Sequence, residues 1–375
     1  MPTFNGHLDD ARRVLTERFG HPRFRTHQLK VLGPLLSGRN VLAVLPTGAG
    51  KSLCYQVPAL MGAGLTVVVS PLIALMQDQV GGLRRRGIAA AYVNSQLDAA
   101  QRRVVLDAAT RGKVSLLYCA PERLPSLTRR LCAAHTTVAL LAIDEAHCIT
   151  EWGSEFRPLY RRIGVYRSRL GHPPTIALTG SATLAARTDI LRVLRMPDAA
   201  VIVTSFDRPN LAFATRRIRD DRERFAVIRQ RVQRASGASL IYTPTRRLTE
   251  LVTRALLRTS IRAAPYHAGL SAGVRRRVLR AFLADRVGVI VATSAFGMGI
   301  DKPDVRQVLH WGPPPTLEAY YQEAGRGGRD GTVADCVILW RREDFAWGNI
   351  DPAMKNYVES RTNHRQLILE YFGEP

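Results

Sequence analysis

The sequence predicts an α/β protein made of two domains, each built on a parallel β-sheet. Short apolar, β-branched runs alternate with stretches of helical periodicity, a rhythm typical of parallel strands joined by crossover helices, and this rhythm restarts after residue 205. A glycine-rich loop and a pair of acidic residues each follow a predicted buried strand. The length of 375 residues also favours two or three domains, at roughly 150 residues each.

The predicted elements divide the chain into two domains and a tail. Buried strands are predicted at Val41–Leu45, Thr66–Ser70, Val114–Cys119, Val138–Ile143 and Thr175–Leu178, and then at Leu240–Tyr242, Ala263–Tyr266, Val287–Ala292 and Val305–His310. We therefore place the first domain at residues 1–204 and the second at 205–344, with a proline-containing junction between them. Residues 345–375 change character and predict a helical tail, in which Gly373 caps a helix over Arg365–Phe372.

Composition indicates a polyanionic partner. Lysine and arginine number 54 against 31 acidic residues, which gives a formal net charge of +23. Such an excess attracts phosphate polymers, although a solvated basic surface would have the same composition. The five cysteines are scattered without metal-ligand or disulfide spacing. Neither a signal peptide core nor an apolar run of the ~18 residues that span a membrane is found, so we expect a soluble, cytoplasmic protein without membrane contact.

A phosphate-binding loop is predicted after the first buried strand, in the segment PTGAGKS at 46–52. The small residues whose backbone amides would surround a phosphate are Thr47, Gly48, Ala49 and Gly50. Lys51 would neutralise the β and γ phosphates, Ser52 would hold Mg²⁺, and the following helix would add a favourable dipole. The strict pattern has glycine where Leu45 stands, and an ordinary glycine turn is the alternative interpretation.

Two acidic residues follow the predicted strand Val138–Ile143. Asp144 is suited to bind Mg²⁺, and Glu145 is suited to orient or deprotonate an attacking water. The alternative is a strand end with solvated carboxylates. Because Asp144 and the phosphate-binding loop occur together, we interpret both as parts of one nucleotide site.

Directly after these acids comes a loop that carries Trp152, Phe156 and Arg157. Bases of single-stranded nucleic acid stack on aromatic and guanidinium planes, with about 1–3 kcal/mol per base. The alternative is that both aromatics belong to the core, but the small and acidic residues between them make burial of the whole loop less favourable.

Far downstream, the glycine-rich segment Tyr320–Gly331 contains Gln322, Arg326 and Arg329, which we take as catalytic candidates. If this segment is helical, the two arginines point to one side. Guanidinium groups suit the charge of a transferring phosphoryl group and contribute about 10³ to 10⁵ in rate in this role. They could instead bind carboxylates across an interface.

Together these segments resemble superfamily 2 helicases, and among them they closely resemble the RecQ family, from about residue 19 to 374. The strings that carry the resemblance are FRTHQ at 24–28, SPLIALMQDQ at 70–79, APERL at 120–124, TGSAT at 179–183, SFDRPN at 205–210, YHAGL at 266–270 and AFGMGI at 295–300. The resemblance implies two tandem RecA-like parallel-sheet domains with the ATP site in the cleft between them.

The resemblance also implies roles for residues at that site. Arg25 and Gln28 would recognise adenine, with His21 as a stacking partner, while Arg326 and Arg329 would reach across from the second domain.

For the aromatic loop, the resemblance implies that Trp152, Phe156 and Arg157 sense single-stranded DNA and relay its presence to hydrolysis. The loop also departs from the family, since Thr150, Glu151, Ser154 and Glu155 differ from the usual residues.

A further departure lies near the end of the chain. Asn363 stands where related proteins have the first cysteine of their zinc module. We therefore expect no structural zinc, no winged-helix module and no C-terminal helical DNA-binding domain, with residues 345–375 as a remnant of the zinc-module start. We also expect a monomer.

The resemblance implies an ATP-dependent DNA helicase that uses ATP and Mg²⁺ and travels 3′-to-5′ along single-stranded DNA. Its partners would be single-stranded and tailed or forked DNA, in repair and recombination. The alternatives are an ATP-regulated DNA-binding or annealing protein, a translocase that does not unwind, and an RNA helicase.

Overall fold

The computed structural model describes residues 7–46, 48–62, 64–151, 159–297, 302–346 and 349–374. The chain divides into two compact units, Met1–Ser205 and Phe206–Pro375. Each unit contains one parallel sheet with helices between its strands, so the predicted α/β class with two parallel-sheet domains is confirmed.

The first unit is built on a parallel sheet. Its described strands are β1 (Val41–Val44), β2 (Leu65–Val69), β3 (Ala90–Val93), β4 (Leu116–Cys119), β5 (Val138–Ile143), β6 (Thr175–Thr179) and β7 (Ala200–Val203). They lie in the order β3-β4-β2-β5-β6-β1-β7. Every residue of β1, β2, β4 and β6 is buried, which is typical of strands that helices cover on both faces.

Helices connect these strands. The described ones are α1 (Leu8–Phe19), α2 (Thr26–Leu36), α3 (Leu53–Gln56), α4 (Ile73–Arg85), α5 (Ala99–Thr110), α6 (Leu124–Ala133), α7 (Cys148–Glu151), α8 (Ile163–Arg169) and α9 (Leu184–Leu194). Two of them begin at side-chain caps: Asp98 accepts a hydrogen bond from the Gln101 amide, and Thr183 accepts one from the Ala186 amide.

The second unit repeats this architecture. Its described strands are β8 (Leu211–Arg217), β9 (Ala238–Tyr242), β10 (Ala263–Tyr266), β11 (Val289–Ala292), β12 (Val305–His310) and β13 (Ala334–Trp340). They lie in the order β10-β11-β9-β12-β13-β8 and pair in parallel. The described helices are α10 (Asp221–Arg234), α11 (Arg246–Leu257), α12 (Ala272–Leu283), α13 (Leu317–Ala324), α14 (Pro352–Glu359) and α15 (His364–Phe372).

All strands predicted from the sequence are present, with ends that differ by at most two residues, whereas β3, β7, β8 and β13 were not predicted. Two of the missed strands have weak apolar patterns. Ala90 and Ala91 make up half of β3, and β7 alternates half-buried with exposed residues at the edge of its sheet. Such short segments carry little periodic signal. No described helix is both long enough and apolar enough to cross a lipid bilayer.

The predicted helical tail forms part of the second unit. Its last helix, α15, ends at Gly373, which has a left-handed backbone with φ of 83° as a C-terminal cap requires. The Phe372 ring stacks on the Phe206 ring with centroids 4.3 Å apart, and Arg365 pairs with Asp207. The tail therefore packs on the segment that begins the second unit.

A buried ion pair joins α10 to the end of the second sheet. Arg224 Nη2 donates to Asp344 Oδ2 at 2.5 Å, and the Arg341 amide donates to the same oxygen at 2.8 Å. Both side chains are almost fully buried, and the Arg224 guanidinium lies 5.2 Å from the centre of the Trp311 ring. Removal of Asp344 would leave the buried Arg224 with only the half-exposed Asp221 carboxylate, 3.3 Å from Arg224 Nη1, as a partner.

We expect Asp344→Ala to lower the free energy of unfolding of the second unit by about 3–5 kcal/mol. The control is Glu343→Ala, because Glu343 is exposed and lies 3.8 Å from Arg341, a geometry that contributes less than about 1 kcal/mol. Urea unfolding followed by circular dichroism measures both. Equal effects of the two substitutions would contradict a structural role for the buried pair.

Candidate nucleotide-binding site

The loop after β1 has the backbone that a phosphate-binding loop requires. Gly48 and Gly50 both have positive φ, 82° and 74°. At Gly50 a Cβ atom would stand 2.6 Å from Gln28 Nε2, so a larger residue would collide with that side chain. Leu45, at the position where the strict pattern has glycine, is fully buried and continues the sheet because its amide donates a hydrogen bond to Thr179 O. The loop therefore tightens after Leu45 and does not need glycine there.

Side chains at the start of α2 hold this loop by donating hydrogen bonds to the carbonyl oxygens of the loop. Gln28 Nε2 donates to Gly50 O at 3.1 Å, and Arg25 Nη1 donates to Gly48 O at 2.6 Å. The buried Gln28 side chain also accepts from the Arg25 amide, which fixes both residues at the helix start. His27 Nε2 lies 2.8 Å from Ala49 O, a contact that sequence reasoning did not assign. The predicted adenine-binding residues thus adjoin the loop, whereas His21 is exposed on the preceding turn.

Lys51 is half-buried at the end of the loop. Its Nζ donates to Leu45 O at 3.2 Å and lies 3.5 Å from Pro46 O, so the ammonium group folds back over the loop. The predicted helix behind it is short: α3 has one turn and gives way to a 3₁₀ turn over Pro58–Leu60, where proline has no amide to donate. The expected contribution of a helix dipole is correspondingly small. Thr47 lies outside the described residues.

The acidic pair lies at the same edge of the sheet. Only β6 separates β5, which leads into Asp144, from β1, which leads into the loop. Asp144 is 6% exposed, so the alternative of a solvated strand end is wrong. Burial raises the pKa of the Asp144 carboxyl well above its usual range, the charge of Glu145 raises it further, and the nearby Lys51 ammonium opposes the rise. A buried carboxylate of this kind gains stability from a bound cation.

Tyr55, which sequence reasoning missed, connects the loop with the acids. The ring is fully buried in α3, and its hydroxyl lies 3.3 Å from the Tyr118 hydroxyl. Burial raises the pKa of the Tyr55 phenol, the charges of Tyr118 and Asp144 raise it further, and a hydrogen bond with Ser52 opposes them. Ser52 and Asp144, the two predicted Mg²⁺ ligands, therefore both lie close enough to act on this phenol. Hydroxyl and carboxylate oxygens are ligands that Mg²⁺ prefers, so the donor set fits this ion.

A second connection runs from the acids to the end of β6. His147 is buried, and its Nδ1 lies 3.0 Å from Thr179 Oγ1 and 3.4 Å from Glu145 Oε2. Thr179 Oγ1 donates in turn to Ser181 O at 2.9 Å. Sequence reasoning noted the string TGSAT only as part of a resemblance, whereas the structure places its first residue against the acidic segment. His147 thus orients Glu145 relative to β6.

In the second unit, the predicted arginines do not lie on a helix. The helix α13 ends at Ala324, so Gln322 is helical while Arg326 and Arg329 follow in the glycine-rich turn. Arg326 is buried, and its Nη1 donates to Gly297 O. Burial raises the pKa of the Tyr242 phenol far above its usual range, while the charges of Arg326 and Arg329 oppose the rise, so both guanidinium groups lie near this hydroxyl.

The segment at the start of the second unit holds the arginine-bearing turn. Arg208 Nη2 donates to Gly327 O at 3.1 Å, and Asn210 Nδ2 donates to Gly328 O at 2.7 Å and to Thr332 O at 3.1 Å. Sequence reasoning did not assign a role to Arg208 or Asn210. The signal available was their place in the family string SFDRPN.

Some predicted site residues are not described by the structure. Trp152, Phe156 and Arg157 lie outside the described residues, as do Met298–Ile300 of another family string. Among the described residues, no group of three or more histidine, cysteine, aspartate or glutamate side chains is arranged to hold a metal ion.

Comparisons with known proteins agree with the fold. The family model for the DEAD/DEAH box helicase matches residues 25–190, and that for the helicase conserved C-terminal domain matches residues 223–331. The structure of the Mycobacterium smegmatis helicase Lhr bound to ssDNA and AMP-PNP aligns with a TM-score of 0.71 at 22% identity, over 93% of this chain and 49% of that one. The two parallel-sheet units and the matches to both helicase family models thus place the chain in the class of superfamily 2 helicases.

Curated relatives identify the family. The ATP-dependent DNA helicase RecQ of Pasteurella multocida is 40% identical over 96% of this chain and 60% of its own length. The probable ATP-dependent DNA helicase RecS of Bacillus subtilis is 41% identical over 90% of this chain and 68% of its own length. The chain belongs to the RecQ family, as the resemblance implied, and it spans about 60% of the length of the first of these relatives.

Proposed function

We propose that this chain is an ATP-dependent DNA helicase that moves 3′-to-5′ along single-stranded DNA and separates duplex strands. The observation that carries the proposal is that the buried Asp144 carboxyl lies near both the Lys51 ammonium and the Tyr55 phenol, one turn from Ser52, at the edge of the sheet where ligands of open α/β folds bind. Membership of the RecQ family favours DNA as the substrate, with a role in repair and recombination.

Each predicted site residue of the first unit has a chemical role in this proposal. Lys51 neutralises the β and γ phosphates of ATP, and Arg25 and Gln28 hold the adenine end, with His21 stacking on it. Ser52 and Asp144 would hold Mg²⁺, which supplies charge neutralisation at the phosphates when it is bound.

Glu145 orients the attacking water, and His147 keeps the Glu145 carboxylate turned towards β6. In the second unit, we propose that Arg326 and Arg329 stabilise the charge of the transferring phosphoryl group, with Gln322 beside them.

Strand movement requires that grip on DNA changes with nucleotide state. A ligand that binds every conformation equally shifts no equilibrium, so ATP binding and hydrolysis must each favour a different DNA-binding conformation. We propose that Trp152, Phe156 and Arg157 stack on single-stranded bases and couple this contact to hydrolysis.

The test is strand separation with ATP and Mg²⁺ on a duplex with a 3′ single-stranded tail, beside a 5′-tailed duplex and the Lys51→Ala protein. We expect separation only by the wild-type protein and only on the 3′-tailed duplex. If DNA stimulates ATP hydrolysis but the duplex strands do not separate, the proposed unwinding is contradicted. That result would indicate a translocase or an ATP-regulated binding protein. Stronger stimulation by RNA than by DNA would contradict the substrate assignment.

A further inference from the structure

A surface pocket of about 340 Å³ in the second unit is lined almost wholly by arginine side chains. Its lining residues are Gly273, Arg276, Arg277, Arg280 and Arg286. All four arginines are exposed to solvent. The pocket takes no part in the nucleotide-binding chemistry assigned above.

Helix geometry explains why these residues meet. Gly273, Arg276, Arg277 and Arg280 stand at positions i, i+3, i+4 and i+7 of α12, so they share one face of the helix. Arg286 joins them from beyond the helix end, after Asp285 turns the chain with a φ of 55°. Gly273 has no side chain, so the helix surface between the arginines stays open; the nearest atom to a Cβ built there is 4.0 Å away.

These arginines lack the carboxylate partners that neighbouring arginines have. In the same unit Arg224, Arg231 and Arg306 each pair with an aspartate. Across the described part of the chain, no aspartate or glutamate lies within ion-pair distance of Arg276, Arg277, Arg280 or Arg286. The adjacent Asp285 carboxylate instead pairs with Lys302 Nζ at 2.6 Å.

Four like charges around one pocket repel each other, and an anion that enters would remove this repulsion. Guanidinium forks bind phosphate through two parallel hydrogen bonds. Since the lining consists of arginine and glycine, it offers no aromatic ring on which a base could stack. Guanidinium planes can stack on bases, but the lining side chains have no hydrogen-bond acceptor for the exocyclic amines of a base. This chemistry therefore suits the phosphates of a polymer better than a free nucleotide.

We propose that this arginine pocket on α12 binds backbone phosphates of DNA, as a sequence-independent anchor distinct from the nucleotide site. The inference rests on the proposed function in taking DNA as the ligand. It assigns the pocket a contribution to DNA affinity and to its salt dependence, but none to ATP hydrolysis in the absence of DNA.

The first test compares two triple variants that remove the same charge from exposed helix faces of one unit. The pocket variant is R276Q/R277Q/R280Q. The control variant is R222Q/R229Q/R234Q on α10, because within the described chain these three exposed arginines form no ion pair. Fluorescence anisotropy with labelled single-stranded DNA, without nucleotide, gives affinity at several salt concentrations. We expect the pocket variant to bind at least about tenfold more weakly and to lower the salt slope by about 2, since each phosphate contact contributes roughly 0.7.

The second test uses one substitution that removes no arginine. Gly273→Glu places a carboxylate among the guanidinium groups, in the first turn of α12 where an acid also favours the helix. We expect weaker DNA binding with an unchanged or higher melting temperature, whereas Gln230→Glu on the exposed face of α10 should change neither. A labelled ATP analogue should bind all these variants equally.

The outcomes separate this proposal from the proposed function. If wild-type protein binds no DNA, both proposals fail, whereas wild-type binding with equal losses in the two triple variants overturns the pocket alone. Loss of ATP-analogue binding in the pocket variants would show a free-nucleotide site and would also overturn the proposal.

Discussion

Replacement of Lys51 by alanine is expected to lower ATP turnover by at least about 10² to 10³ while DNA affinity stays unchanged. The Lys51 ammonium lies at the phosphate-binding loop and close enough to Asp144 to oppose the rise of the Asp144 pKa. Without it, the loop retains its backbone geometry but loses the charge that would neutralise the phosphates. Phosphate release at saturating DNA measures the loss, and anisotropy with labelled DNA measures affinity.

The matched control is Lys113→Ala, because Lys113 is an exposed lysine of the same unit, remote in sequence from the loop. We expect it to behave as wild type in both assays. Turnover retained by Lys51→Ala would remove the site assignment. Equal loss of DNA affinity and turnover would indicate that the substitution disturbs the whole unit.

Replacement of Arg326 by alanine is expected to lower ATP turnover by about 10³ to 10⁵ with little change in DNA affinity. The magnitude follows from the proposed role, since a guanidinium that meets the charge of the transferring phosphoryl group acts mainly in the transition state. A fall in kcat with little change in KM is therefore expected, in contrast to Lys51→Ala, where ATP binding also weakens.

Because Arg326 is buried and donates to Gly297 O, alanine could also disturb the turn. Arg326→Lys keeps the positive charge but lacks the planar fork, so it should recover part of the turnover at most. The Arg208→Lys variant serves as a control for the turn itself, since Arg208 holds the glycine carbonyls and is not proposed to contact ATP. A melting temperature near the wild-type value with normal turnover in Arg326→Ala would contradict the proposed role.

The tail helix α15 supports the arginine-bearing turn indirectly, through the segment that begins the second unit. Phe372 and Arg365 contact Phe206 and Asp207, and the next residue, Arg208, holds the glycine carbonyls beside Arg326. Tyr321 of α13 also donates to Phe206 O at 2.8 Å. Residues far apart in the chain thus fix the position of the arginine-bearing turn.

Much of the architecture follows from local sequence. Short apolar runs bounded by polar residues, such as Val138–Ile143, favour interior strands of a parallel sheet, and Gly373 can end α15 because glycine accepts a left-handed backbone. The glycine loop and the acids could be placed at one sheet edge because parallel strands present their carboxyl ends together. These features depend on a few neighbouring residues, so they can be predicted from the sequence alone.

The contacts that shape the site join residues that are distant in the chain, so they become visible in the folded protein and not in the sequence. The Tyr55 hydroxyl meets the Tyr118 hydroxyl, His147 meets Thr179, and Arg208 reaches the turn beside Arg326. No local pattern records such pairings, because strand order and burial bring them about. The sequence also did not predict that α13 ends before Arg326, because the glycines that follow permit a helix or a turn. The hydrogen bonds from Arg208 and Asn210 to the glycine carbonyls favour the turn.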